Sequence, residues 1–173
     1  MKAERELHAL LGELLEYPGA GLPEAARRCQ NLASSLRATA AEALAPFLSF
    51  VDSAPLERLE ELYTSTFDLD PVCCPYAGHH LLGDDPKRAL LMVKLQDRYR
   101  SAGFDAGREL PDHLSVVLRF LSIEEDPGLE RDLLAPALRK MAASLDGQNP
   151  YGNVVRAALE VVAADPRVRS VEG

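Results

Sequence analysis

Leu7, Leu10, Leu11, Leu14 and Leu15 recur at i, i+3, i+4, i+7 and i+8. That spacing puts all five side chains on one face of an α-helix, and it does not fit the two-residue alternation of a strand. The same period returns along most of the chain. After Pro23, a residue suited to a first helical turn, Ala25, Ala26, Cys29, Leu32, Ala33 and Leu36 form a second stripe. Leu44, Phe47, Leu48 and Val51 form a third, in which Pro46 predicts a kink or a late start. Leu56, Leu59, Leu62, Tyr63 and Phe67 follow. Pro86 opens a fifth stripe of Leu91, Met92, Leu95, Tyr99 and Ala102, with Lys87, Arg88, Lys94, Asp97, Arg98 and Arg100 facing out and Gly103 as the stop. Leu114, Val117, Leu118 and Leu121 give a sixth. Val116, Phe120 and Ile123 widen it, which predicts a helix buried on more than one side.

Residues 129–145 and 154–164 carry two more stripes, and Asp165-Pro166 closes the last, with a frayed tail expected from about residue 166. The pattern predicts an all-α bundle of about seven or eight helices, with residues 1–173 in one domain. A chain of this length buries roughly two-thirds of its unfolded surface. Trp is absent, so aliphatic side chains must fill most of that core. The period lapses between Asp68 and Asp85, where Pro71, Pro75, Gly78 and Gly83 predict a long mid-chain loop. Asp85 is placed to cap the helix after it.

The net charge of −8 argues against nucleic acid as a partner, because phosphate contacts need clustered Lys and Arg. It also argues against an anionic membrane surface. No apolar run reaches the ~18 residues a membrane-spanning helix requires. The first eight residues mix charges and lead directly into a helix, so no secretory leader is expected and the predicted location is the cytoplasm. Three cysteines do not suggest a disulfide framework.

Glycine-rich phosphate loops, nucleophile elbows and zinc-protease helices are all missing. Cys73, Cys74, His79 and His80 offer soft ligands for a transition metal, although adjacent residues seldom aim both side chains at one ion. The plainer alternative packs one cysteine as a small hydrophobe. Tyr76, His79 and Leu81 suit either a peptide groove or an ordered crossover. The stretch Glu109-Leu110-Pro111-Asp112-His113-Leu114 reads locally as a helix start. Pro111 fits the first helical position, Asp112 the first turn, and Glu109 sits where a carboxylate would raise the pKa of His113.

Four segments occur together: Leu14-Leu15-Glu16-Tyr17-Pro18, Tyr63 to Asp68, Gly83 to Tyr99, and Glu109 to Leu114. In that order they resemble the TorD-like family of redox-enzyme maturation chaperones, and within it the delta-chain (NarJ-type) group that assembles nitrate reductase. The resemblance implies an all-helical, non-catalytic protein with no cofactor of its own. Its implied partner is the catalytic (alpha) subunit of nitrate reductase or of a related enzyme of the DMSO-reductase family, held by its N-terminal segment while the molybdenum cofactor is inserted. The client-binding residues implied are Tyr63, Phe67, Tyr76, His79, Glu109, Pro111, Asp112 and His113. A monomer or a helix-exchanging dimer fits equally. The chain lacks the long extension after Asp165 expected of that group, which leaves the client open among enzymes of the class. A metal-binding helical protein using Cys73, Cys74, His79 and His80 is the other reading of the residues.

Overall fold

The computed structural model describes residues 2–69, 73–145 and 147–169. Among them run ten helices: α1 (Lys2–Leu14), α2 (Leu22–Leu36), α3 (Ala38–Ser53), α4 (Leu56–Tyr63), α5 (Ala77–Leu82), α6 (Lys87–Ser101), α7 (Leu114–Ile123), α8, α9 (Pro150–Ala163) and α10 (Pro166–Arg169). α8 is continuous but uneven: a first turn Pro127–Leu129, a wide π turn Glu130–Leu134, then Ala135–Ser144. A second π turn, Thr64–Asp68, prolongs α4. The fold is all-α. The helices beyond the expected seven or eight, α5 and α10, are too short for a hydrophobic period to announce them.

α7 is the axis. Leu114 to Leu118, Phe120 and Leu121 are all buried, so the widened stripe of the sequence is a helix enclosed on most sides, while Ile123 emerges at its end. α1 packs along α7 and α2, α9 packs along α3 and α8, and α2 closes on α3. The leucine stripe of α1 and its last turn is 0–3% exposed at every position. Between α3, α4 and α9 the filling is aromatic: Tyr151 lies 5.3 Å from Phe47, 5.5 Å from Tyr63 and 5.2 Å from Phe67, ring centroid to ring centroid. Tilted and edge-on pairs at such distances add to simple burial.

Several local expectations change. α3 runs unbroken through Pro46, because the proline sits on the exposed face where water can satisfy the carbonyl it strands. The segment expected as a loop folds into α5 at Ala77–Leu82, while Asp70, Pro71 and Val72 lie outside the described residues. Asp85 does accept from the Lys87 amide at 2.9 Å, at the start of α6. α6 ends as expected at Gly103, whose φ of +67° lets the Phe104 amide reach back to the Tyr99 carbonyl at 2.8 Å. The tail expected to fray from residue 166 makes one more turn with Val168 buried, and residues 170–173 lie outside the described residues. Among the described residues no helix is long and apolar enough to cross a membrane.

Leu118, fully buried at the centre of α7, measures how much of the stability this axis carries. Leu118→Ala is expected to cost about 3 kcal/mol through lost burial and the cavity left behind. Urea denaturation monitored by circular dichroism checks it: the midpoint falls and the slope stays constant.

Candidate functional site

The stretch before α7 does not join the helix. His113 takes an extended conformation (φ −61°, ψ 135°) and caps the helix from outside, its Nδ1 accepting from the Ser115 amide at 3.1 Å. α7 therefore starts at Leu114, later than the position of Pro111 suggests. The reason is a contact distant in sequence. The Ala77 amide donates to the Asp112 carbonyl (2.8 Å) and the Leu114 amide to the Pro75 carbonyl (2.9 Å), which forms a two-bond antiparallel bridge between Tyr76 and His113. Helical dihedrals at Asp112 and His113 would forfeit that bridge.

Asp112 is fully buried. Its Oδ2 accepts from the Gly78 amide (3.1 Å) and from Arg88 Nε (3.1 Å), and its Oδ1 accepts from Arg88 Nη2 (3.3 Å). This two-pronged carboxylate–guanidinium pair is a strong, directional arrangement. Gly78 is required by space, since a Cβ there would lie 2.6 Å from Asp112 Oδ2. The hydroxyl of Tyr99 donates to the Pro111 carbonyl at 2.6 Å. One turn, Leu110 to His113, thus ties together the beginnings of α5, α6 and α7 and the end of α6. Arg88, expected to face solvent, turns inward to make the pair.

His113 is 4% exposed, and burial pushes its pKa down to about 4 against the opposing pull of Asp112. This corrects the expectation that Glu109 would raise it. The imidazole is neutral at pH 7. Nδ1 accepts from the Ser115 amide, and Ser115 Oγ lies 2.8 Å from the same atom. The proton therefore resides on Nε2, 3.5 Å from Glu109 Oε2.

Above this hub opens a groove of about 500 Å³. Tyr17, 57% exposed, stands edge-on against Tyr63 at 5.4 Å and forms one wall. Tyr63 is itself anchored by its hydroxyl donating to the Leu15 carbonyl at 3.1 Å, and burial raises its pKa. Tyr76 forms the opposite wall, stacked edge-on over His113 at 5.4 Å, with its hydroxyl 3.5 Å from Glu109 Oε2. Five charged residues join the lining, Glu16, Asp68 and Glu109 against Arg108 and Arg119, beside Pro75, Ala106, Gly107 and Ser115. Glu16 and Arg119 approach to 3.4 Å.

Of the eight candidate residues, Tyr63, Tyr76, Glu109 and His113 line this groove. Pro111 and Asp112 lie beneath it as buried support, and Phe67 is buried behind Tyr63 at 4.9 Å. His79 is half-buried on α5 and does not line the groove. Cys73 is buried, and His80 spends its Nε2 on the Cys74 carbonyl at 2.7 Å, with Cys74 Sγ 3.9 Å away. Among the described residues no three His, Cys, Asp or Glu side chains converge as metal ligands. Sequence reasoning did not place Gly78, Arg88 and Tyr99 at the hub, nor Tyr17, Glu16 and Arg119 at the groove. Four of them carried a signal as members of the resembling segments: Glu16 and Tyr17 in Leu14 to Pro18, and Arg88 and Tyr99 in Gly83 to Tyr99.

Residues 33–148 match the family described as nitrate reductase delta subunit. The chain belongs to that family. The matched segment contains the whole hub and the four candidate residues of the groove, whereas the Tyr17 wall precedes it. Among known relatives of this delta-subunit family member, the Escherichia coli (strain K12) protein named probable nitrate reductase molybdenum cofactor assembly chaperone NarW is 30% identical over 139 residues. That match takes in 79% of this chain and 58% of NarW, so the chain spans little more than half the length of that relative. The crystal structure of an Archaeoglobus fulgidus protein assigned to redox enzyme maturation superposes with a TM-score of 0.62 at 23% identity, covering 92% of this chain and 91% of the other. At that identity the likeness establishes the fold.

Two measurements test the hub. Asp112→Ala is expected to cost about 3 kcal/mol, because it strands Arg88 and the Gly78 amide, whereas the loss of a mere helix cap costs ~1 kcal/mol. Chemical denaturation separates the two. For His113, the unfolded side chain protonates near its ordinary 6.5 while the folded one waits until about 4. Its contribution is complete above pH 6.5 and is lost as the pH falls towards 4, by about 3 kcal/mol. His113→Asn, which keeps a capping oxygen, should flatten the decline of stability with pH across that window.

Proposed function

We propose that this chain is an assembly chaperone for a molybdenum enzyme, and that its client is the catalytic subunit of nitrate reductase. In this reading the groove between Tyr17, Tyr63 and Tyr76 receives the N-terminal segment of the apo subunit in the cytoplasm. The chaperone holds the subunit open for insertion of the molybdenum cofactor and then departs, performing no catalysis itself. The cofactor belongs to the client and not to this chain.

The observation that carries the reading is an aromatic-walled, charge-lined groove built on a buried hub inside the segment that defines the family. Tyrosine walls suit a peptide, because each ring supplies a large contact area at little entropic cost and keeps a polar tip for hydrogen bonding. Glu16, Asp68 and Glu109 suit an amphipathic segment with cationic side chains, such as a helix laid into a groove. A neutral His113 adds a hydrogen-bond donor at the floor without adding charge. The names carried by NarW and by the Archaeoglobus fulgidus protein point the same way for those proteins.

Calorimetric titration with a synthetic N-terminal peptide of the nitrate reductase catalytic subunit tests this. Saturable binding is expected, and Tyr76→Ala should weaken it about tenfold while lowering the thermal midpoint by only a few degrees, as the loss of one ring contact implies. The corresponding peptide from another enzyme of the DMSO-reductase family should bind more weakly. If that peptide binds better, the client is the other enzyme. If neither peptide binds the folded protein, the groove has a different purpose.

A further inference from the structure

Opposite in charge to the tyrosine groove, α6 is the most basic of the long helices among the described residues of an acidic chain. Its fifteen residues carry five basic side chains and one acidic, in a protein whose net charge is −8. It is also loosely held: only Leu95 and Tyr99 are buried. Arg88 is committed to Asp112, Arg98 pairs with Asp126 at 2.7 Å, and Arg100 pairs with Asp97 at 3.3 Å. Among the described residues Lys87 and Lys94 have no carboxylate partner. Two lysines left unpaired in a chain with a surplus of carboxylates are an unspent positive potential.

Lys94 borders an apolar groove, and Lys87 lies two turns before it on the same helix. Between α5, α6 and the start of α8 lies a trough of about 450 Å³, floored by Leu82, Leu91, Leu95, Leu129 and Leu133. Lys94, Arg98 and Arg131 stand on its rim, against the single carboxylate of Asp132. At 100° per residue, Lys87, Leu91, Lys94 and Arg98 share one stripe of α6, with the two lysines two turns apart. Leu90, 63% exposed, extends the apolar surface over the outer shoulder of that stripe, and Val93, 54% exposed, stands beyond it. A small ligand in the trough would leave Leu90 in water. An extended partner lying along α6 would cover it.

We propose that this trough is a second docking surface, for an acidic amphipathic helix of a partner protein. Leucine-type side chains of the partner enter the trough, as apolar anchors do when a helix lies in a groove. Carboxylates on the borders of the partner helix meet Lys87 and Lys94. This trough and the tyrosine groove then select segments of opposite charge, and complementarity of this kind governs both orientation and partner choice.

The test uses the full chain and a fluorescein-labelled synthetic amphipathic helix with leucines on one face and glutamates on both borders. Its twin carries lysines in place of the glutamates. Fluorescence anisotropy should show the acidic helix binding at least about tenfold more tightly than its twin, with the difference shrinking as salt is raised. In the doubly exchanged variant K87E/K94E the preference should reverse. Both lysines are exposed, so the fold should survive, and circular dichroism verifies it; L90S gives a second, charge-neutral variant that should weaken the acidic helix. Tyr76→Ala should leave this binding unchanged, which separates it from the tyrosine groove. Equal binding of the two helices, or a preference that K87E/K94E leaves intact, overturns the proposal. So does sedimentation showing that the chain self-associates and that K87E/K94E abolishes the association, since the face would then belong to a second copy of this chain.

Discussion

The fully buried carboxylate of Asp112 is the constraint on which the rest of the site depends. Removing a charge from water costs several kcal/mol, and only complete satisfaction of its oxygens makes such burial tolerable. Here both prongs of Arg88 and the Gly78 amide provide it. Because the donors come from α6 and α5 while the acceptor precedes α7, the pair sets three helix origins at once. A hydrophobic plug of similar volume could fill the space, but it would not fix the direction in which each helix leaves. The bridge between Tyr76 and His113 and the bond from Tyr99 to Pro111 complete that fixing, and the floor and one wall of the groove follow from it.

Burial also decides the electrostatics. A neutral His113 beside the charged Asp112–Arg88 pair keeps the hub to a single balanced ion pair. Surplus charge is left to the surfaces, where water screens it. There it divides unevenly, with carboxylates prevailing around the tyrosine groove and an excess of basic groups along α6. A mean charge of the whole chain therefore says little about either surface.

The helices were legible because burial of one face imposes a period: the stripes in α1 and α7 are core faces, that of α2 is buried at four of its six positions, and that of α6 is buried only at Leu95 and Tyr99. The misreadings share a cause. Pro111 at a helical first turn, Arg88 on an outward face and a raised pKa for His113 were each inferred from neighbours in sequence, and each was overridden by a partner far along the chain. α7 begins late because Pro75 and Ala77 compete for its leading residues. Arg88 turns inward because Asp112 waits 24 positions away. The histidine is depressed because packing removes water, which no local pattern reveals. The candidate site was half legible for the same reason. Tyr63, Tyr76, Glu109 and His113 meet in the groove, while the opposing Tyr17 comes from the far end of the chain's order and carries no chemical signature of its own.

That distance between the walls has a physical consequence. Tyr76 and His113 belong to the hub, and moving them means breaking backbone bonds and a buried ion pair. Tyr17 does not belong to it. It is more than half exposed and is held by an edge-on contact to Tyr63, a kind of interaction worth about 1 kcal/mol. Tyr63 in turn is fixed, with its hydroxyl on the Leu15 carbonyl and its ring among Phe67 and Tyr151. The groove thus has a rigid floor, one rigid wall and one wall whose outer ring can swing at small cost. If the groove takes a client segment as proposed, this construction lets segments of different bulk enter by displacing Tyr17 alone, leaving intact the hub that orients everything beneath it.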